Sequence, residues 1–306
     1  MKIVNRRNFI LSASTVSAMS IFARFRKKDD IQKEGALSKI TVGVISRADN
    51  PEVDLKIVSD MGFSACQLNV KDFSPELARR VKTTLEHLKI KPITLICMGP
   101  GTYIYNFIDG PATIGLVPRE GREARVQRLL QGIDFCKAAG IPAVHAHFGF
   151  IPENPRDELY AEFVATMKKV GAYALDKKID IYFETGQETP ITLLRAITDI
   201  GTGNLYVNYD TANLVMYGKA NPLDGLKILS RYVKSFHAKD GLYPTTPTEL
   251  GKEVPIQKGE VDFPGIISYM KKQNFEGNFT IEYELSGSKK DYILHVKEYL
   301  EKLISA

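Results

Sequence analysis

Between Lys39 and Ser305 the chain alternates eight times between a short apolar run and a longer stretch whose apolar positions recur every three to four residues. The short runs are Ile40–Ile45, Ala65–Val70, Pro92–Met98, Ala143–Phe148, Asp180–Glu184, Leu205–Asp210, Val233–Ala238 and Asn278–Glu282. Continuous rather than alternating apolar character is expected of strands covered by helices on both sides of a parallel sheet. The intervening stretches carry helix punctuation. Ser74-Pro75-Glu76 opens one as N-cap and first turn, Gly140 and Pro142 close the stretch Arg122–Ala139, Asp262-Phe-Pro-Gly opens another, and Lys289–Ile304 forms the last. Strand then helix, eight times over, predicts the α/β class and a single (β/α)8 barrel, which takes about 250 residues. There is no solenoid-type repeat and no second domain.

Four of the runs end in a residue able to bind a metal. Glu184 closes Ile-Tyr-Phe-Glu, Asp210 closes Tyr-Val-Asn-Tyr-Asp, His237 follows Val-Lys-Ser-Phe, and Glu282 closes Phe-Thr-Ile-Glu. A barrel gathers the carboxyl ends of its strands around one mouth. Three carboxylates and an imidazole aimed at one point repel each other unless a divalent cation lies between them. Glu284 shares the face of Glu282, two residues on; Glu282 is preferred because it follows the apolar run directly, with Glu284 as its support. His145 and His147, two apart at the end of the fourth run, also share a face, as extra metal ligands or substrate contacts. His147 is read as a substrate contact and His145 as a filler of the barrel layer. Asn213, three residues past Asp210, orients a substrate hydroxyl or only caps a helix. Lys239 and Lys258 are the cations nearest the mouth, and Lys239 is read as a substrate contact.

Two connections exceed what a minimal barrel needs. Gly99–Glu120 carries Tyr103, Tyr105 and Phe107, and Lys239–Val261 carries three prolines. Both follow the carboxyl ends of strands, where insertions build or cover an active site.

Charge divides the chain at about residue 35. Residues 1–35 hold eight Lys/Arg against three acids, which accounts for the whole net charge of +5 and leaves residues 36–306 neutral. A neutral domain argues against tracking a phosphate backbone, so no nucleic-acid partner is expected. Asn5-Arg6-Arg7-Asn8-Phe9-Ile10 followed by a weakly apolar run to Phe22 reads as a signal segment of the twin-arginine kind. It implies export to the periplasm, with retention as an uncleaved anchor left open; no stretch beyond it is apolar enough to span a bilayer. Cys66, Cys97 and Cys136 match no zinc spacing and read as small buried hydrophobes.

The strand-end Glu184, the segments Asp210-Thr-Ala-Asn213, Phe236-His-Ala-Lys-Asp240 and Gly277-Asn-Phe-Thr-Ile-Glu282, His145-x-His147-x-Gly149, and Lys258-Gly-Glu-Val-Asp-Phe-Pro264 together resemble the xylose-isomerase-like TIM barrels over about residues 39–304. That group includes sugar isomerases, ketose 3-epimerases, hydroxypyruvate isomerase, inosose dehydratase and type-2 AP endonucleases. The resemblance implies that Glu184, Asp210, His237 and Glu282 hold one divalent ion, Mn²⁺, Mg²⁺ or Co²⁺ foremost and Zn²⁺ also admissible. It implies further that Glu184 and Glu282 act as the acid–base pair. Epimerases of the group show Asp-x-x-His where this chain has Asn213, which weakens a ketose-epimerase assignment. The trinuclear endonucleases need more histidines than the five present, of which His87 and His295 fall in helices.

The expected protein is thus a metal-dependent sugar or sugar-phosphate isomerase or epimerase working through an enediolate on a small carbohydrate. The alternatives are a lyase or dehydratase that begins with the same proton abstraction from a keto-sugar or 3-keto-glycoside, and a sugar-binding barrel without turnover. The sugar and the oligomeric state are not legible.

Overall fold

The computed structural model describes residues 40–283 and 289–306; the expected leader, residues 1–35, and Glu284 lie outside the described residues. Its strands are β1 (Thr41–Arg47), β2 (Ala65–Asn69), β3 (Lys91–Ile96), β4 (Ala143–Ala146), β5 (Asp180–Glu184), β6 (Leu205–Asp210), β7 (Val233–Ala238), β8 (Asp240–Gly241), β9 (Glu253–Val254) and β10 (Asn278–Ile281). β1 to β7 pair in chain order and β10 closes the ring between β7 and β1, every barrel pairing being parallel. The eight predicted runs are therefore the eight staves of a closed α/β barrel. Among the described residues no helix is long and apolar enough to cross a membrane.

Side chains of a strand alternate between the two faces of its sheet, and in this barrel the outward set packs under the helices. Phe236 of β7 and Phe279 of β10 stack with ring centroids 4.3 Å apart, and Phe275 meets Phe236 edge-on at 5.5 Å. Both stacked rings are fully buried, a burial that contributes about 1.5–3 kcal/mol per side chain. The helix Arg122–Ala139 lays Leu129, Ile133, Phe135, Cys136 and Ala139 against the barrel and ends on Gly140 at φ +72°. Helix starts follow their side-chain caps: Ser74 accepts from Leu77 N, Thr189 from Thr192 N and Asp262 from Gly265 N, each satisfying an otherwise orphaned N–H of the first turn. The three cysteines are buried and unpaired, and burial pushes the thiols of Cys66 and Cys97 up to about 12.

The differences from the sequence expectation lie at strand ends and in the two insertions. β3 stops at Ile96 rather than Met98, and β4 at Ala146 rather than Phe148. Cys97 stays apolar-packed because Gly132 of the overlying helix sits against its sulfur, so the run continues past the last residue of β3. The first insertion contains a one-turn helix, Gly110–Thr113, and the second contains the antiparallel β8–β9 pair. The two insertions touch through Phe107 N–H donating to Thr248 O at 3.4 Å.

The first insertion returns to the barrel through a close backbone approach. Leu116 N–H donates to Phe148 O at 2.9 Å, and a Cβ on Gly115 (φ +75°) would lie 2.0 Å from the carbonyl carbon of Phe148. Gly62 has nearly the same backbone, φ +74°, with nothing within 4 Å. Gly62→Ala should therefore cost only the left-handed strain of about 1–2 kcal/mol. Gly115→Ala should cost clearly more, because the loop must move off the backbone of Phe148. Urea unfolding of both variants checks this, and equal losses would contradict the contact.

Candidate metal and catalytic site

Register sets the mouth. Asp210 is the cross-strand partner of His237, His237 is the partner of Thr280, and Glu184 that of Asn208. Two-residue periodicity then points Glu184, Asp210, His237 and, one residue past β10, Glu282 to the same side. One donor atom from each lies within 4.8 Å of all the others. Nδ1 of His237 is 3.0 Å from Glu184 Oε1, 3.0 Å from Glu282 Oε2 and 3.5 Å from Asp210 Oδ2.

Asp210 divides its carboxylate between two tasks. Oδ1 accepts from Asn213 N at 2.7 Å and so caps the helix Thr211–Met216. Oδ2 is buried without a hydrogen bond, as is Glu282 Oε2. Lys239, 4% exposed, directs its ammonium at both, 3.3 Å from Asp210 Oδ2 and 2.9 Å from Glu282 Oε2. The lysine expected to contact substrate is thus held against the acidic cluster. Asn213 Nδ2 lies 3.5 Å from Glu184 Oε1, so this residue supplies the amide that Asp210 caps and also faces the site.

The two histidines of the fourth run flank Glu184 from one side. His145, fully buried, has Nδ1 2.6 Å from Thr94 Oγ1 and Nε2 3.6 Å from Glu184 Oε2. His147, 12% exposed, has Nε2 3.4 Å from the same oxygen and Nδ1 3.0 Å from Gln187 Nε2, whose amide also donates to Tyr217 OH at 3.2 Å. Tyr105 of the first insertion presents its ring to His147 at 6.0 Å. Lys258 is not among the residues that meet here.

Electrostatics separate the acids. Burial opposes ionisation of Glu184, yet the nearby imidazoles of His147, His237 and His145 hold its carboxyl well below the usual carboxylate range. Glu282 is also held down, burial being outweighed by Lys239 and His237. For Asp210 burial prevails over Lys239 and His237, and its carboxyl is raised. His237 is raised despite burial, because Glu282, Glu184 and Asp210 surround it.

Three oxygens and one imidazole nitrogen, two of those oxygens buried without hydrogen bonds and all converging on one point, fit a hard or borderline divalent ion. Sequence reasoning passed over Gln67, Thr94, Gln187 and Tyr217. The available signal for Gln67 was a polar residue in the middle of a strand, between the apolar Cys66 and Leu68.

Residues 55–303 match the protein family described as xylose isomerase-like TIM barrel. Among solved structures, the xylose isomerase domain protein from Planctomyces limnophilus superposes with a TM-score of 0.80 at 28% identity, covering 86% of this chain and 96% of its own. A D-tagatose 3-epimerase-like protein superposes at 0.68 with 17% identity, over 87% of this chain and 97% of its own. A xylose isomerase-like TIM barrel protein from Mycobacterium smegmatis, in complex with magnesium, superposes at 0.61 with 17% identity, over 82% and 87%. The latter two likenesses carry the fold alone. None of the curated proteins matches the chain.

Beside the cluster, Glu188 is 4% exposed, and burial pushes its carboxyl up to about 8 against the pull of its own backbone N–H and Lys219. The folded chain therefore keeps a proton that the unfolded chain releases near its ordinary value of 4.5. The stabilisation this gives is complete below that value and is lost as pH rises towards about 8. Wild-type stability should decline between those limits by a few kcal/mol more than that of Glu188→Gln, since each tenfold change in proton affinity corresponds to about 1.4 kcal/mol. Urea midpoints across the range check this; superimposable pH profiles would contradict it.

Proposed function

The chain belongs to the xylose isomerase-like TIM barrel family, and from that membership and the geometry of its mouth we propose a metal-dependent sugar isomerase or epimerase. The observation that carries the reading is the convergence of Glu184 and Glu282 on one point, each 3.0 Å from His237 Nδ1. A divalent ion held by Glu184, Asp210, His237 and Glu282 would polarise the substrate carbonyl and favour the enediolate form of the sugar.

The chain's own groups then move the proton. One of the two glutamates takes it from the C–H beside the carbonyl, and the other returns one. Return to the opposite face epimerises the carbon; return to its neighbour interconverts aldose and ketose. Either way no oxidant is consumed, since the proton removed is matched by the proton returned. Both acids are held ionised by neighbouring cations, so either is able to accept; the one that returns a proton first takes it up from solvent, and the one that accepted gives its own back to solvent. His147, Asn213 and Lys239 are assigned to substrate hydroxyls, with Tyr105 beside His147 as part of the wall. Elimination of water or an alkoxide from a keto-sugar would begin with the same abstraction. Product mass separates the two: unchanged for the isomerase, lighter for the lyase. Export through the twin-arginine route is proposed on the leader's sequence alone.

Incubating candidate keto-sugars with the Mn²⁺-loaded protein in D2O should place deuterium at the carbon beside the carbonyl, read by mass spectrometry. At saturating Mn²⁺, Glu184→Gln and Glu282→Gln should each lower that exchange by roughly 10²–10⁴-fold. Exchange retained in both variants would rule the mechanism out, and binding without exchange in the wild type would favour the sugar-binding alternative. Chelation should abolish turnover and lower the melting temperature, with Mn²⁺ at a hundred times its Kd returning about 2.7 kcal/mol of stability. Full activity after chelation would refute the metal's role.

A further inference from the structure

Gln67 lies on β2, across the barrel from the acidic cluster, and is fully buried. Its Nε2 donates to Asn208 Oδ1 at 3.0 Å and to Ser235 Oγ at 3.0 Å. A primary amide has two N–H bonds, and both are used. Its Oε1, which only accepts, lies 2.7 Å from Nε2 of His237. That nitrogen must therefore carry an N–H, which leaves Nδ1, the atom that faces Glu184, Asp210 and Glu282, as the one whose lone pair an ion can take in place of a proton.

We propose that Gln67 is the positioning residue that makes His237 an Nδ1 metal ligand. It resists two alternatives. A half-turn of the ring about Cβ–Cγ would exchange Nδ1 for a carbon and break the 2.7 Å bond. Moving the ring proton to Nδ1, where three carboxylates attract it, would leave Nε2 with a lone pair against the amide oxygen. Asn208 and Ser235 hold the amide in its sense, because reversing Gln67 alone would set its oxygen against Asn208 Oδ1. The inference rests on the metal reading of the four-donor cluster, and outer partners of metal-bound histidines typically set affinity by 10–100-fold.

The test is Mn²⁺ affinity, read from the spin-resonance signal of the free ion, in the wild type, Gln67→Leu and Gln67→Glu, with circular dichroism melts to confirm folding. Gln67→Leu removes the acceptor and should weaken Mn²⁺ binding by about 10–100-fold. Gln67→Glu keeps an acceptor for His237 Nε2–H, and Asn208 Nδ2, buried without a partner, is free to turn and donate to the new carboxylate. This variant should bind Mn²⁺ within a few-fold of the wild type. Equal losses in both variants would reduce Gln67 to a structural tie and overturn the proposal, as would wild-type affinity in Gln67→Leu. A wild type that takes up no Mn²⁺ overturns the metal reading itself, whereas either of the other failures leaves that reading standing.

Discussion

Buried charge of one sign has to be answered by the other sign within a few ångströms, and this constraint organises the barrel's mouth. Three carboxylates are gathered within 4.8 Å of one another and an imidazole, two of them buried and Glu282 mostly so. Desolvating such groups costs several kcal/mol each unless partners compensate. His237 and Lys239 supply that compensation, at 2.9–3.5 Å. The same density of negative oxygen is what gives a divalent ion its purchase. The helices, the aromatic packing behind β7 and β10, and the register of β5, β6 and β7 serve to hold these groups where they would not stay unaided.

Much of the architecture is legible in the residues because burial leaves a mark on composition. Every barrel strand coincides with an apolar run, since both faces of each stave are covered. The ends are less legible for the same reason: Cys97 and Phe148 remain buried by helix and loop beyond the last residues of β3 and β4, so hydrophobicity outlasts the strands. β8 and β9, two residues each, are too short to carry a period. Glu184, Asp210, His237 and Glu282 stand out because a polar residue closing an apolar strand has to face something. Lys239 shows the limit. Nothing local indicates that the residue after β7 turns its ammonium onto Asp210 and Glu282. Gln67 is harder still, because its meaning depends on His237, 170 residues away in sequence.

Asp210 shows how closely local structure and chemistry are joined here. One oxygen holds the first turn of the helix Thr211–Met216 and the other faces the cluster. An asparagine would keep the cap but lose the charge; a glutamate would keep the charge on a stem one carbon longer, displaced from the cap. Few side chains meet both demands, which is a physical reason for aspartate at a strand-to-helix junction of this kind.

The bond between Phe107 and Thr248 joins two stretches that leave the cylinder from staves on different sides of its rim. The contact runs backbone to backbone, so it ties the two spans together whatever side chains they carry. Lengthening either span by a residue would shift its anchor point on the other, so remodelling the entrance for a bulkier guest would mean redrawing both spans in concert.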